Sequence, residues 1–277
     1  MSLVQPLQGS TPHAVTEVKV NLRNMADVLA AALARLRQHE GFTLFTVNLD
    51  HIVKLGESEA FRQAYSRANF VTADGWPVVW HIRKKREQQL RKRANTVERR
   101  RVERTTGADL LAPMCQLSAE HGFPMYFVGP GPQSQDDGIE ILRNRHPGLV
   151  LAGMEAPKLP AAIGDADIDA MAERIRASGA RVCILSLGAP KQELLADALH
   201  LRCPDVGFLC VGAALDFISG HAVRAPALFQ RFGMEWFWRL VMDPVRLGPR
   251  YARCGLALLK LRMPALFPQM TRLGLAE

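Results

Sequence analysis

Residues 181–217 read RVCILSLGAPKQELLADALHLRCPDVGFLCVGAALDF, and the reading of this stretch decides the fold. Arg181 to Leu187 is a short apolar run, and Val206 to Val211 is a second one. Between them Lys191 to His200 spaces its leucines and alanines as an amphipathic helix. Strands that are apolar along their length, joined through a helix, belong to a parallel sheet covered on both faces. The same alternation runs outward toward the N-terminus, with strands at Thr43 to Val47, Phe70 to Ala73, Met125 to Val128 and Leu149 to Gly153. Helices are expected at Asn24 to Leu36, capped by Asn24 and stopped by Gly41, at about Ser58 to Arg67, Ala108 to His121 and Gln133 to Arg145. Another opens at Asp165, Asp167 and Asp169 and runs to about Ser178. The expected architecture is a Rossmann-like α/β core, a parallel sheet with helices on both faces.

The pattern divides the chain into a polar leader (1–20), a core (21–220) and a C-terminal helical appendage (221–277). In the appendage, Ala225 to Leu261 contains no strand pattern, and Pro244, Pro249 and Pro264 are expected to break it into short helices. Its aromatic residues interleave with arginines, a composition that suits either a bilayer interface or a helical cap on the sheet. Of the 277 residues 48% are hydrophobic, so a disordered chain is excluded. No window approaches 18 uncharged apolar residues, and Met1 to Val20 does not read as a signal peptide. Five dispersed cysteines without a C-x-x-C pair suit a reducing compartment better than a disulfide framework or zinc knuckle.

The net charge of +8 has one source. Arg83 to Arg101 holds ten basic residues and two acidic ones, and removing it leaves 25 of each sign. A basic block of this kind seeks phosphate groups or is simply a solvated helix. Nucleic acid is not the expected partner, because the charge is confined to one segment rather than spread over a docking face.

Ligands of an open parallel sheet bind beyond the carboxyl ends of its strands. Five strand ends carry polar or glycine residues: Thr46-Val47-Asn48, Ala73-Asp74-Gly75, Gly129-Pro130-Gly131, Gly188 to Glu193, and Gly212 to Asp216. Asp74 is the candidate general base, since partial desolvation at a strand end raises a carboxyl's pKa; its structural alternative is an N-cap. Gly129 could lend a backbone N–H to a diphosphate, although a plain strand-to-helix turn explains it as well. It begins no dinucleotide fingerprint, and without one a nicotinamide- or flavin-dependent oxidoreductase is a poor rival. The D-x-D pairs among Asp165, Asp167 and Asp169 could hold a divalent ion, but compensation of the helix dipole accounts for them, so no metal and no cofactor is expected. The histidines show no ligand spacing, and no Ser-His-Asp arrangement is apparent.

Taken in order, the strand-end motifs together with Arg104 to Asp109, Val211 to Phe217 with Gly220, Arg224-Ala225-Pro226, Glu235-Trp236 with Arg239-Leu240, and Pro244 with Arg246-Leu247 and Arg250-Tyr251 resemble the WecG/TagA/CpsF glycosyltransferases over about Asn21 to Tyr251. The resemblance implies an inverting, metal-independent enzyme, peripheral on the cytoplasmic face of the inner membrane. Such an enzyme moves N-acetylmannosamine, its uronic acid or glucose from a UDP-sugar donor to an undecaprenyl-diphosphate-linked acceptor. It also implies a C-terminal appendage that engages membrane and lipid diphosphate. The family's base matches Asp74, its substrate-contacting residues match Thr46, Asn48 and Gln192, and its appendage arginines match Arg239, Arg246 and Arg250. The matched motifs add Gly75, Arg104, Gly107, Glu193, Asp216 and Arg224 as candidate substrate contacts, with capping or pairing as the alternative for Glu193. Two features depart from the family's pattern. Asp74 and Arg104 lie 30 positions apart, so 83–101 reads as a basic insertion suited to an anionic membrane surface, and Pro249 stands beside Arg250. A homo-oligomer is left open.

Overall fold

The computed structural model describes residues 17–92, 102–160, 163–262 and 272–275. In chain order the elements are β1 (Glu17–Val20), α1 (Met25–Arg37), β2 (Phe42–Val47), α2 (Leu49–Glu57), α3 (Glu59–Arg67), β3 (Phe70–Ala73) and α4 (Trp76–Lys92). They continue with α5 (Gly107–His121), β4 (Met125–Val128), α6 (Pro132–Arg145), β5 (Leu151–Glu155), α7 (Asp165–Ala177), β6 (Val182–Leu185), α8 (Lys191–Arg202) and β7 (Gly207–Cys210). After α9 (Ala214–Ser219) come α10 (Ala227–Arg231), α11 (Glu235–Met242), α12 (Pro244–Arg262) and β8 (Arg272–Leu275). Six of the strands form one parallel sheet in the order β3-β2-β7-β6-β4-β5. This is the α/β architecture expected from the alternating runs.

Successive strand residues point to opposite faces, and the apolar runs feed two cores accordingly. Phe45, Val47, Tyr126, Val128, Cys183, Leu185, Phe208 and Cys210 pack against residues of α2, α3, α4, α7 and α8. Their neighbours Phe42, Leu44, Met125, Phe127, Val182, Ile184 and Leu209 pack against α1, α5, α6 and α9. Both faces are covered, which is why these strands read as continuous apolar runs rather than as alternating ones.

Several expectations need correction. Residues 17–20 are not leader: they form β1, with Val18 and Val20 buried, and pair in parallel with β8. The rest of the leader, 1–16, lies outside the described residues. Helix α2 was not expected; Asn48 ends β2 and caps α2 at once, leaving no loop to mark the boundary. Asn24 caps α1 as expected, its Oδ1 accepting the Asp27 N–H at 2.9 Å. Gly41 is not what stops that helix, which ends before Gln38 with His39 at φ 59°. A Cβ at Gly41 would lie 2.2 Å from the Val206 carbonyl oxygen, so the glycine is there for close backbone approach. Pro249 does not break α12 but sits inside it. The only hydrogen bond lost is to the carbonyl of Val245, a residue exposed enough for water to replace it. Pro264 and the second part of the basic insertion, 93–101, lie outside the described residues; its first part prolongs α4. Among the described residues no helix is long and apolar enough to cross a membrane.

Because Phe208 is fully buried on β7, in the middle of the sheet, Phe208→Ala should cost about 3–5 kcal/mol in chemical denaturation. The slope of that transition should stay unchanged.

Candidate functional site

The carboxyl ends of the strands open into a cleft of about 680 Å³. Its walls include Thr46 and Asn48 after β2, Asp74 after β3, Pro130 after β4, Ser186 to Ala189 after β6, and Val211 to Ala213 after β7. The convergence of five strand ends, expected from their polar and glycine residues, is therefore realised in space. The opposite wall comes from the C-terminal helices, including Trp238, Arg239, Met242, Leu247, Arg250 and Tyr251.

Asp74 lies half-buried in the cleft. It is not an N-cap: among the described residues the one hydrogen bond to its carboxylate comes from Asn48 Nδ2, at 3.5 Å to Oδ2. Asn48 serves two elements at once. Its Oδ1 accepts the His51 N–H at 3.1 Å and so caps α2, which turns the amide nitrogen toward Asp74. Burial pushes the Asp74 carboxyl above the ordinary carboxylate value. The positive potential of His51 and Arg104 and the Asn48 hydrogen bond oppose that rise, while the Glu235 carboxylate adds to it.

Two helix N-termini reach the same cleft. Thr106 caps α5 by accepting the Asp109 N–H at 3.1 Å, and Gly107 begins that helix within the cleft wall. A Cβ on Gly107 would come 2.8 Å from the Val211 Cα, so only glycine lets α5 start this close to the end of β7. Gln192, in the first turn of α8, is held at both ends of its amide. Gly212 N–H donates to its Oε1 at 3.0 Å, and its Nε2 donates to Glu193 Oε1 at 2.7 Å. One Gln192 amide hydrogen remains for a ligand. Partial positive charge at two helix starts, with backbone N–H groups, favours an anion.

Guanidinium groups form the rest of the electrostatics. Arg224 Nη2 donates to Asp109 Oδ1 at 2.5 Å, and Arg104 Nη1 donates to Glu235 Oε2 at 3.1 Å. Arg224 Nε also lies 3.6 Å from Glu235 Oε1. Arg239 stacks on the Phe217 ring at 5.4 Å, and Arg250 pairs with Asp50 at 2.8 Å. The carboxylates and the ring hold these cations in place beside the cleft.

Thr46, Asn48, Asp74, Gly107, Gln192, Asp216, Arg224, Arg239 and Arg250 all line the cleft. Four candidate contacts do not. Gly75 adopts φ +85° outside the lining, and Arg104 stands behind it, paired with Glu235. Gly129 does not offer its N–H to a ligand, because that group donates to the Glu155 carbonyl at 2.8 Å. Glu193 is completely buried, so it pairs rather than contacts substrate. The side chain of Arg246, on α12, lies outside the described residues. Asp165 and Asp169 are spent on Arg202, and among the described residues no group of three His, Cys, Asp or Glu side chains is placed to hold a metal ion. Lys191 Nζ donates to the Leu159 carbonyl at 2.9 Å.

Sequence reasoning missed His51, which is buried, lines the cleft and stands in the first turn of the unexpected α2. The usable signal was Asn48 as a cap followed by Ile52 and Leu55 at helical spacing.

A carboxyl whose folded pKa is raised destabilises the fold once it ionises. The penalty is absent below the unfolded-state value and develops as pH climbs toward the raised one. Asp74→Asn should therefore melt at a higher temperature than the native chain at pH 8, and the two melting curves should draw together by about pH 4 in a calorimetric series.

A family model of the glycosyl transferase WecG/TagA/CpsF family matches residues 13–269. That span takes in every strand of the six-stranded sheet and all the residues lining the cleft. The chain accordingly belongs to the WecG/TagA/CpsF family and is a glycosyltransferase of cell-surface polysaccharide synthesis.

Proposed function

We propose that the protein transfers a hexosyl group from a UDP-sugar to a sugar linked to a polyprenyl diphosphate, with inversion at the anomeric carbon. The observation that carries this reading is one cleft with a burial-perturbed carboxylate, Asp74, on one wall and the guanidinium groups of Arg224, Arg239 and Arg250 elsewhere around it. Asp74 takes the proton of the acceptor hydroxyl as that oxygen bonds to the anomeric carbon. The bond from the anomeric carbon to the donor phosphate oxygen breaks on the opposite face, and its electron pair leaves with UDP. Preorganised arginines and the N-termini of α5 and α8 stabilise the charge that builds on the diphosphate, and the planar fork of arginine suits two phosphate oxygens at once. The remaining amide hydrogen of Gln192 and the side chain of Thr46 orient the donor. The sugar moved is N-acetylmannosamine, its uronic acid or glucose, and the chemistry proceeds without a divalent ion.

The same reading places the protein on the cytoplasmic face of the inner membrane, as a peripheral protein. Supporting it, Met242 both lines the cleft and is exposed, and Phe232, Trp236, Phe237 and Val241 extend that apolar surface over α10 and α11. Trp76 and Trp80 on α4 are exposed too, with Arg83 over the Trp76 ring at 5.3 Å and Lys84 over the Trp80 ring at 5.0 Å. Rings at headgroup level flanked by cations suit an anionic bilayer, where each basic residue near the surface contributes about 1 kcal/mol.

In a panel of UDP-sugars with a short-chain polyprenyl-diphosphate-linked acceptor, Asp74→Asn should retain donor binding while UDP release falls by about 10²–10⁴-fold. Chelator should leave the native rate unchanged; a rate abolished by chelator and restored by a divalent ion would overturn the metal-independent part. In vesicle flotation, replacing Arg91, Lys92, Arg93, Arg99, Arg100 and Arg101 with Gln should weaken recovery with anionic vesicles. Recovery with zwitterionic ones should stay as it was.

A further inference from the structure

One wall of the cleft continues inward as a buried polar cluster around His51, a residue that the transfer reaction as described does not use. His51 Nδ1 sits 2.5 Å from the Thr46 carbonyl oxygen and 2.8 Å from the Tyr65 hydroxyl. That hydroxyl itself donates to the Thr46 carbonyl at 2.9 Å. A carbonyl oxygen only accepts, so Nδ1 carries a hydrogen. The opposite ring nitrogen, Nε2, faces Glu193 Oε1 at 3.9 Å. Glu193 is fully buried; its Oε1 accepts from Gln192, and its Oε2 has no hydrogen-bond partner. With Nδ1 protonated, a neutral ring would set the Nε2 lone pair against a carboxylate that is itself fully buried. Two opposed acceptors in a low-dielectric interior are costly, and one added proton on Nε2 converts the clash into a charge pair.

We propose that His51 and Glu193 form a buried imidazolium–carboxylate pair, and that His51 is a positioning residue whose positive charge keeps Asp74 ready to accept a proton. The role rests on the reading of Asp74 as the base. The charges around the pair fit this assignment. His51 is faced by Glu193 from α8, by Asp50 from its own helix and by Asp74 beyond β3, with the Tyr65 hydroxyl from α3 at its other edge. Asp74 in turn is faced by Arg104, by the Asn48 amide and, with opposite effect, by Glu235 from α11. Asp50 is already paired with Lys54 and Arg250, so Glu193 and Asp74 are the carboxylates left to balance an imidazolium. That cation in turn offsets the burial of Asp74 from within the lining of the cleft. Gln192 ties the pair to the cleft wall, since the residue that holds Glu193 also receives Gly212 N–H. This gives the completely buried acid of the Lys191-Gln192-Glu193 run a task that a substrate contact could not explain.

The test uses the full chain in three forms: His51→Gln, Glu193→Gln and the double variant, each checked for fold by circular dichroism. With ¹⁵N-labelled histidine, the imidazole resonances missing from His51→Gln identify His51. In the native chain at pH 7.5 both of its nitrogens should show protonated shifts, and in Glu193→Gln the Nε2 resonance should move to the unprotonated range. The second readout is the pH profile of UDP release from the UDP-sugar turned over fastest in the panel. Losing the cation lets the Asp74 carboxyl rise, so the acid limb should move to higher pH in both single variants. Each should then lose about tenfold more activity at pH 6 than at pH 8. The double variant should be no worse than the weaker single one. A neutral His51 ring in the native chain at pH 7.5, or losses equal at every pH, would overturn the proposal. Should Asp74→Asn stay active, the base assignment fails while the ring's protonation state still decides the pair; should His51→Gln not fold, Glu193→Gln carries both readouts.

Discussion

Ionising a carboxyl at the end of β3, away from bulk water, costs free energy, and much of the surrounding structure answers that cost. Asn48 turns its amide toward Asp74 because its own oxygen is committed to capping α2. Arg104 contributes positive potential without itself lining the cleft. The result is a carboxyl raised by burial and restrained by the groups around it, as the base proposed for the transfer requires. Its ionisation is expected to cost stability, as is common where a charged group sits in a desolvated site.

The C-terminal helices are held against the core largely through the charges that line or flank the cleft. Arg104 reaches from the core to Glu235 on α11, Arg224 bridges Asp109 on α5 and Glu235, and Arg250 on α12 reaches back to Asp50 on α2. Taken singly, part-exposed pairs of this kind contribute little. Linked in a web with Asp109, they fix the direction of several guanidinium groups before any ligand arrives. An anionic ligand then meets cations already in position, and little reorganisation is left to oppose its binding.

The sheet was legible because burial on both faces leaves its mark on every strand: Val182 to Leu185 and Gly207 to Cys210 are apolar in each residue, whichever core they feed. That Asp74, Thr46, Asn48 and Gln192 would meet in one cleft was legible for a related reason, since the cleft of a parallel sheet opens at the carboxyl ends of its strands. Helix α2 was not, because Asn48 terminates a strand and caps a helix in the same residue. Gly41 was assigned to the wrong task, because close approach to Val206 is a contact across 165 positions and leaves no local trace. Glu193 and Gly129 looked like ligand groups by position, yet one is entirely buried and the other has its N–H committed to Glu155.

By itself the sequence determined the parallel architecture, the edge of the sheet where polar groups gather, and the carboxylate that stands among them. All three are carried by patterns within a few residues: apolar runs, caps, and polar groups directly after strands. Only the tertiary structure decided that His51 stands in the cleft wall beside Glu193, and which arginines line the cleft. It also decided how far Asp74 is withdrawn from water. Those outcomes depend on desolvation and on charges brought together from distant segments, and local patterns record neither.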